Sequence, residues 1–160
     1  MNHFLVVSEG DAIHPINFSA IPLPHIVLDT GPDDYIDHVY RERPCRNSDI
    51  PIMYPDAIVS EKLRRKIETS PEDKTKILEI VCRDYSVKNQ DQFLFYAIDP
   101  SLKELIKKET YTGVGSNPFV CFRWSKCSGE VYGRGPLMNA LSAIKTTNLT
   151  IELILENAQM

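Results

Sequence analysis

Four histidines (His3, His14, His25, His38) and four cysteines (Cys45, Cys82, Cys121, Cys127) are the residues best suited to nucleophilic or metal-binding chemistry. Their spacing points to neither. No Cys-x-x-Cys occurs, and the histidines do not interleave with the cysteines at zinc-ligand intervals, so no metal site is expected. No nucleophile has a histidine and a carboxylate in a supporting local motif, so no catalytic residue is expected. Gly113-Val114-Gly115 lacks the third glycine, the lysine and the following helix of a phosphate loop, and no cofactor is expected. The basic run Lys62-Leu63-Arg64-Arg65-Lys66 has no interleaved aromatics and reads as a solvated helix face. With 18 basic against 22 acidic residues, net −4, the chain lacks the clustered positive charge of a general grip on nucleic acid. The cysteines read as free thiols of a reducing compartment.

Since residue chemistry is silent, the elements must carry the function. At 160 residues the chain fits one domain with a real core. No window approaches ~18 uninterrupted apolar residues, so no membrane span or membrane partner is expected. The segment Met1 to Val7 lacks the basic region and cleavage site of a signal peptide.

Phe4 to Val7 reads as a strand, and Gly10-Asp11 as a turn. Ile13 to Ala20 alternates loosely, with Ile16 and Phe18 on one face, and Pro22 and Pro24 end it. His25 to Asp29 is a short strand, Thr30 to Asp34 a turn, and Tyr35 to Glu42 a strand of period two. Ser48 is placed to cap a brief turn limited by Pro51, and Asp56 or Ser60 to cap a helix through Ile67. Lys76 to Tyr85 and Phe93 to Ile98 are strands. Residues 99–111 carry two readings. Asp99-Pro100 with Leu102, Leu105 and Ile106 suits a capped helix, and the same residues suit a hairpin turn at Pro100-Ser101 with a return strand to Tyr111.

The most informative stretch is Arg123-Trp124 through Pro136. Pro118 to Trp124 reads as a buried strand, with Trp124, the sole tryptophan, largely inside. A loop punctuated by Gly129, Gly133 and Gly135 follows, in which Gly129 and Gly133 permit turn angles closed to other residues, with Gly133 a candidate for positive φ. Glu130 and Arg134 flank Tyr132. They suit an inter-subunit contact and equally a self-satisfied turn. Pro136 then starts a helix. Its residues Leu137, Leu141, Ile144, Asn148, Ile151, Leu155 and Ala158 step by four and three, a heptad seam with one polar member, widened by Leu149, Leu153 and Ile154. Glu152 and Glu156 sit at the unfavourable end of the helix dipole, and the helix looks cut rather than finished. The fold class is α+β: antiparallel strands, short inserted helices, and a long C-terminal helix packed by its seam against the sheet or against later helices.

The order strand, Arg123-Trp124, loop, Gly129-Glu130-Val131-Tyr132-Gly133-Arg134-Gly135-Pro136, then a helix with Ala140-Leu141, Ile144-Lys145-Thr146 and Asn148, resembles the head-to-tail connector, or portal, proteins of short-tailed bacteriophages. The resemblance is strong over about 40 residues and looser upstream, where Phe4-Leu5-Val6-Val7 and Val39-Tyr40-Arg41 carry it. It implies a β-rich wing-like region over 1–135 with short helices near 48–68, then the start of a long amphipathic helix over 136–160. It also implies a structural subunit of a homo-oligomeric ring, without catalysis. Its implied partners are other portal subunits, terminase, capsid and tail proteins, with DNA met only by passage through the complete ring. Family members are several times longer, so the chain reads as a fragment, an excised piece or a prophage remnant. Its expected location is the virion, or the host cytoplasm for a remnant, and the chain alone is expected as a monomer or an indefinite oligomer. The competing reading is a small non-enzymatic module that binds a partner through the C-terminal helix.

Overall fold

The computed structural model describes residues 2–9, 16–88 and 90–158. The expected turn at Gly10-Asp11, the first residues of the strand from Ile13, and the last two residues of the chain lie outside the described residues. Residues His3–Cys121 form one compact unit, and the residues from Phe122 onward belong to a second.

In chain order the elements are β1 (Asn2–Glu9), β2 (Ile16–Ile21), β3 (Ile26–Thr30), β4 (Ile36–Arg46), α1 (Ile50–Met53), α2 (Glu61–Thr69), β5 (Lys74–Arg83), β6 (Gln92–Asp99), β7 (Glu104–Thr112), β8 (Phe119–Arg123) and α3 (Pro136–Ala158). They form an α+β fold. One sheet runs β2-β1-β8, and the other is a five-stranded meander, β3-β4-β5-β6-β7. Each meander strand pairs antiparallel with its sequence neighbour. The long connection from β4 to β5 carries a 3₁₀ turn (Asn47–Asp49), α1 and α2.

The core face of the meander is apolar at its centre and ionic toward the helices. Val39, Ile77, Val81 and Ala97 are fully buried there, as are Ile50 of α1 and Leu63 of α2. Glu79 of β5 is buried too, and a buried carboxylate must be paired. Its Oε1 accepts from Tyr54 Oη at 2.6 Å and Arg43 Nη1 at 3.3 Å, and its Oε2 accepts from Arg41 Nη1 at 3.2 Å. Burial first, and then the Glu79 charge, push the Tyr54 phenol far above its ordinary value, so Tyr54 stays a donor. Asp99, fully buried, accepts from Lys66 Nζ of α2 at 2.6 Å. Asn47 ties the connection down, donating to Ser70 O at 2.7 Å and accepting from Thr75 Oγ1 at 2.6 Å.

Asp99 also resolves the two readings of 99–111 as a hairpin. Its Oδ1 accepts from Ser101 N at 2.8 Å, Ser101 Oγ at 2.6 Å and Leu102 N at 3.3 Å, and Lys103 takes the left-handed angle, φ 56°, that completes the turn. The Asp-Pro-Ser signature of a helix cap is here an Asx turn between β6 and β7. Of the two proposed caps for α2, Ser60 is the one used: Leu63 N donates to its Oγ at 3.1 Å. Ser48 does not cap. Its hydroxyl turns to the Asp49 carboxylate at 3.4 Å, and α1 starts without a side-chain cap. The buried strand expected at Pro118 to Trp124 is corrected: in β8 only Phe119 is buried, while Val120 and Phe122 keep 48% and 53% of their surface exposed.

The opposite face of the meander is also apolar. Cross-strand partners share a face, and the register sets Tyr40, Ile80, Tyr96 and Lys108 in one row. A second row holds Glu42, Leu78, Ile98 and Leu105, and a third His38, Cys82, Leu94 and Thr110. The aliphatic and aromatic residues of these rows are half-buried, except Leu105, which is exposed. Antiparallel sheets with one solvated face normally alternate apolar and polar residues. Strand β6 instead reads Phe93-Leu94-Phe95-Tyr96-Ala97-Ile98, apolar on both sides.

The Asp99 arrangement yields a prediction. Burial raises its pKa, but the bonds from Lys66, Ser101 and Leu102 outweigh that and leave it below the ordinary aspartate value. A carboxyl whose folded-state pKa is depressed contributes stability in full above the unfolded value, near pH 4, and loses it as pH falls through the folded value. Asp99→Asn is expected to cost about 3 kcal/mol at pH 7, because it leaves Lys66 without its counter-ion. It should also flatten the loss of stability below pH 4, read by urea unfolding across pH 2–7. An unchanged acid slope would contradict the assignment.

Candidate assembly surface

The loop from Ser125 to Gly135 closes on itself. Arg134 N donates to Ser125 O at 2.7 Å, forming an isolated antiparallel bridge between those two residues. Glu130 N donates to Cys127 O at 3.1 Å, and Gly129 sits at φ 78° within that turn. Gly129, one of the two glycines expected to take such angles, is therefore in the left-handed region. The Arg123 guanidinium reaches across the loop to Val131 O at 3.1 Å. Arg134 grips Glu130 with two guanidinium nitrogens, Nε lying 2.9 Å from Oε2 and Nη2 bonded to Oε1. The bond from Arg134 holds the Glu130 carboxyl below the usual range, and Glu130 in turn raises the guanidinium. Within the chain, the pair is bonded inside its own loop.

Trp124 is not buried. It keeps 60% of its surface exposed, against the sequence expectation. The physical reason is strand alternation: Val120, Phe122 and Trp124 fall at intervals of two, and all three are exposed, while Phe119 is buried. Tyr132, Gly133 and Gly135 lie half-buried in the loop.

Pro136 opens α3 with its fixed φ, and Met138 N donates to Gly135 O at 3.0 Å in the first turn. The helix spans 23 residues and bears three charges, Lys145, Glu152 and Glu156. The hydroxyls of Thr146, Thr147 and Thr150 donate to the carbonyls of Ser142, Ala143 and Thr146 at 2.9–3.0 Å, so these threonines have their hydroxyls satisfied by the helix backbone. The heptad seam is uncovered: Leu137, Leu141, Ile144, Ile151 and Leu155 keep 41–71% exposed, and Asn148 is exposed among them. A helix apolar over so much of its circumference belongs in an interior, yet among the described residues no helix is long and apolar enough to cross a membrane.

Elsewhere the polar clusters are internally consumed. Asp37, buried, accepts from Tyr85 Oη at 2.7 Å and lies 2.8 Å from His38 Nδ1. Burial raises the Cys45 and Cys82 thiols, which disfavours the reactive thiolate. Among the described residues no group of His, Cys, Asp and Glu is placed to hold a metal ion. Sequence reasoning missed the apolar outer face of the meander. The signal that identifies it is the unbroken apolar run of β6, the pattern of a strand covered on both sides.

Two consequences are measurable. Native Trp124 fluorescence is expected to be water-like, and Trp124→Ala to shift stability by no more than about 0.5 kcal/mol; blue-shifted emission would contradict this. Gly129→Ala meets no atom within 4 Å of the new Cβ. Its cost, about 1–2 kcal/mol, is expected from the left-handed backbone alone. An unchanged melting temperature would exclude that strained geometry.

A family model described as the bacteriophage head to tail connecting protein matches residues 2–160. Comparison with curated proteins finds no match. The match spans the meander, the loop and α3 alike, so the chain belongs to the bacteriophage head-to-tail connecting protein family, a family of structural virion components.

Proposed function

We propose that this chain acts as a structural subunit of the connector ring through which the phage genome is packaged and ejected, without a catalytic step of its own. The observation that carries this reading is the solvent-exposed apolar seam of α3 in a member of a head-to-tail connecting family. A connector works through surfaces that hold neighbours in place, and α3 is such a surface. The self-closed loop from Arg123 to Pro136 supports the same reading, because it spends its charged groups on aiming the helix rather than on a ligand. Glu79 and Asp99 likewise face donors that hold the fold. The proposed partners are other copies of the subunit, with terminase, capsid and tail proteins at the rims of the assembly, and DNA passes only through the finished ring.

The exposure of α3 also favours a second reading, a small interaction module that binds a different protein through the same seam. Light scattering with size exclusion separates the two. The wild-type chain, 18.2 kDa as a monomer, is expected to gain mass with concentration. The double substitution Leu141→Glu/Ile151→Glu is expected to hold it at the monomer mass with unchanged strand content by circular dichroism. A wild-type chain that stays monomeric at all concentrations would overturn self-assembly and leave the module reading.

A further inference from the structure

Among the described residues, two of the apolar surfaces differ in kind: the exposed seam of α3, and the half-buried outer face of the meander built on Tyr40, Leu78, Ile80, Leu94, Tyr96 and Ile98. We infer that these are the two halves of one heterologous contact, in which α3 of one copy lies along β5 on the outer face of the five-stranded sheet of the next. This rests on the self-assembly reading and deepens it by naming the surface that receives the helix.

Three observations fit the occupant to the face. The first is the pattern of β6, whose outward side chains are as apolar as its inward ones. Such a strand is satisfied by a helical layer on both faces, and α1 and α2 supply only one. The second is length. From Leu137 to Leu155 the seam runs ~27 Å at 1.5 Å per residue, and β5 from Lys74 to Cys82 runs ~27 Å at 3.4 Å per residue.

The third is charge. The acidic residues of α3, Glu152 and Glu156, lie toward its C-terminal end, where the helix dipole is negative and the last turn holds no basic residue. On the outer face, Lys74 and Lys76 stand exposed at one end of β5, beside a groove of about 590 Å³ that they line with Glu42, Leu78, Pro100 and Ser101. Lys76 spends part of its charge on Glu42, 2.7 Å away, while the exposed Lys74 adds a second cation. At the opposite end, exposed Asp29 faces His38 across the β3–β4 pair, placing a carboxylate where the positive N-terminus of α3 would lie. A helix running antiparallel to β5 therefore meets opposite charge at both ends. The row Tyr40, Ile80, Tyr96 would receive its middle, with Lys108 lying over the Tyr96 ring at 5.7 Å at the rim. Because the helix and the face are different surfaces, every copy can give one and receive one, the rule that builds rings or open chains rather than closed pairs.

The test is complementation between two full-length variants. The face variant is Ile80→Glu, with Val27→Glu/Leu105→Glu as a second version at positions 59% and 37% exposed, which the fold tolerates if Ile80→Glu does not. The helix variant is Leu141→Glu/Ile151→Glu. Each alone is expected to remain monomeric in light scattering, and an equimolar mixture is expected to give a 1:1 dimer and nothing larger, since one variant supplies the intact helix and the other the intact face. A face variant that still assembles alone would overturn the inference in favour of α3 pairing with α3. A helix variant that still assembles alone would overturn it in favour of face against face. Monomers in the mixture would overturn it outright. A fluorescent single-stranded oligonucleotide bound by the helix variant and released by Tyr96→Glu would also overturn it, by making the face a base-stacking platform. Failure of the wild type to assemble is a separate result that removes the self-assembly reading itself.

Discussion

The helical layer lies on one face of the five-stranded sheet because the buried carboxylates are there. Glu79 within β5 and Asp99 at the end of β6 are buried carboxyl groups, and each is stable only while its donors stay in place. The donors come from the connection between β4 and β5: Tyr54 beyond α1 for Glu79, and Lys66 within α2 for Asp99. Moving these helices to the other face would take Tyr54 from Glu79, leaving it Arg41 and Arg43 of β4, and would take from Asp99 its one cation, Lys66, at a cost of several kcal/mol. The ionic network thus does little to raise total stability relative to an apolar core, but it fixes topology. The remaining face is left to apolar residues that no element of the long connection can reach.

The loop between β8 and α3 applies the same logic at the surface. Here the ion pair is exposed, and a solvated Arg-Glu pair contributes little energy by itself. Its geometry is the useful part. Two guanidinium bonds from Arg134, one from Arg123 to Val131 O and the Ser125–Arg134 bridge restrain the loop at several points. Each restraint removes freedom from the segment that launches α3. The pair's geometry thus serves the loop itself, and the exposed apolar residues of α3 are a separate surface.

Much of this was legible in the sequence, and the failures share a cause. Period-two patterning located β4 and β5, proline placement located the start of α3, and the residues from Arg123 to Pro136 carried the family resemblance. Asp99-Pro100-Ser101 stayed ambiguous because an aspartate that caps a helix and one that nucleates an Asx turn present the same local chemistry. Only the tertiary pairing of Lys66 with Asp99 and of β6 with β7 decides between them. Trp124 was misplaced because burial was inferred from residue type, whereas strand phase set it outward with Val120 and Phe122. The outer face was overlooked because Phe93 to Ile98 was read only as a strand, and a strand apolar on both sides is visible only as a failure of alternation.

The composition of α3 adds a last constraint. Ile144, Thr146, Thr147, Thr150, Ile151 and Ile154 are β-branched, which lowers helix propensity, and Glu152 and Glu156 repel each other one turn apart at the unfavourable end of the dipole. A helix of this kind draws its stability from packing rather than from its own backbone. Covering the seam and completing the helix are then one linked event: binding favours the helical form, and the helical form presents the seam. The seam and the helix are therefore not independent features: a change that makes the seam more polar also changes what could hold these β-branched residues helical.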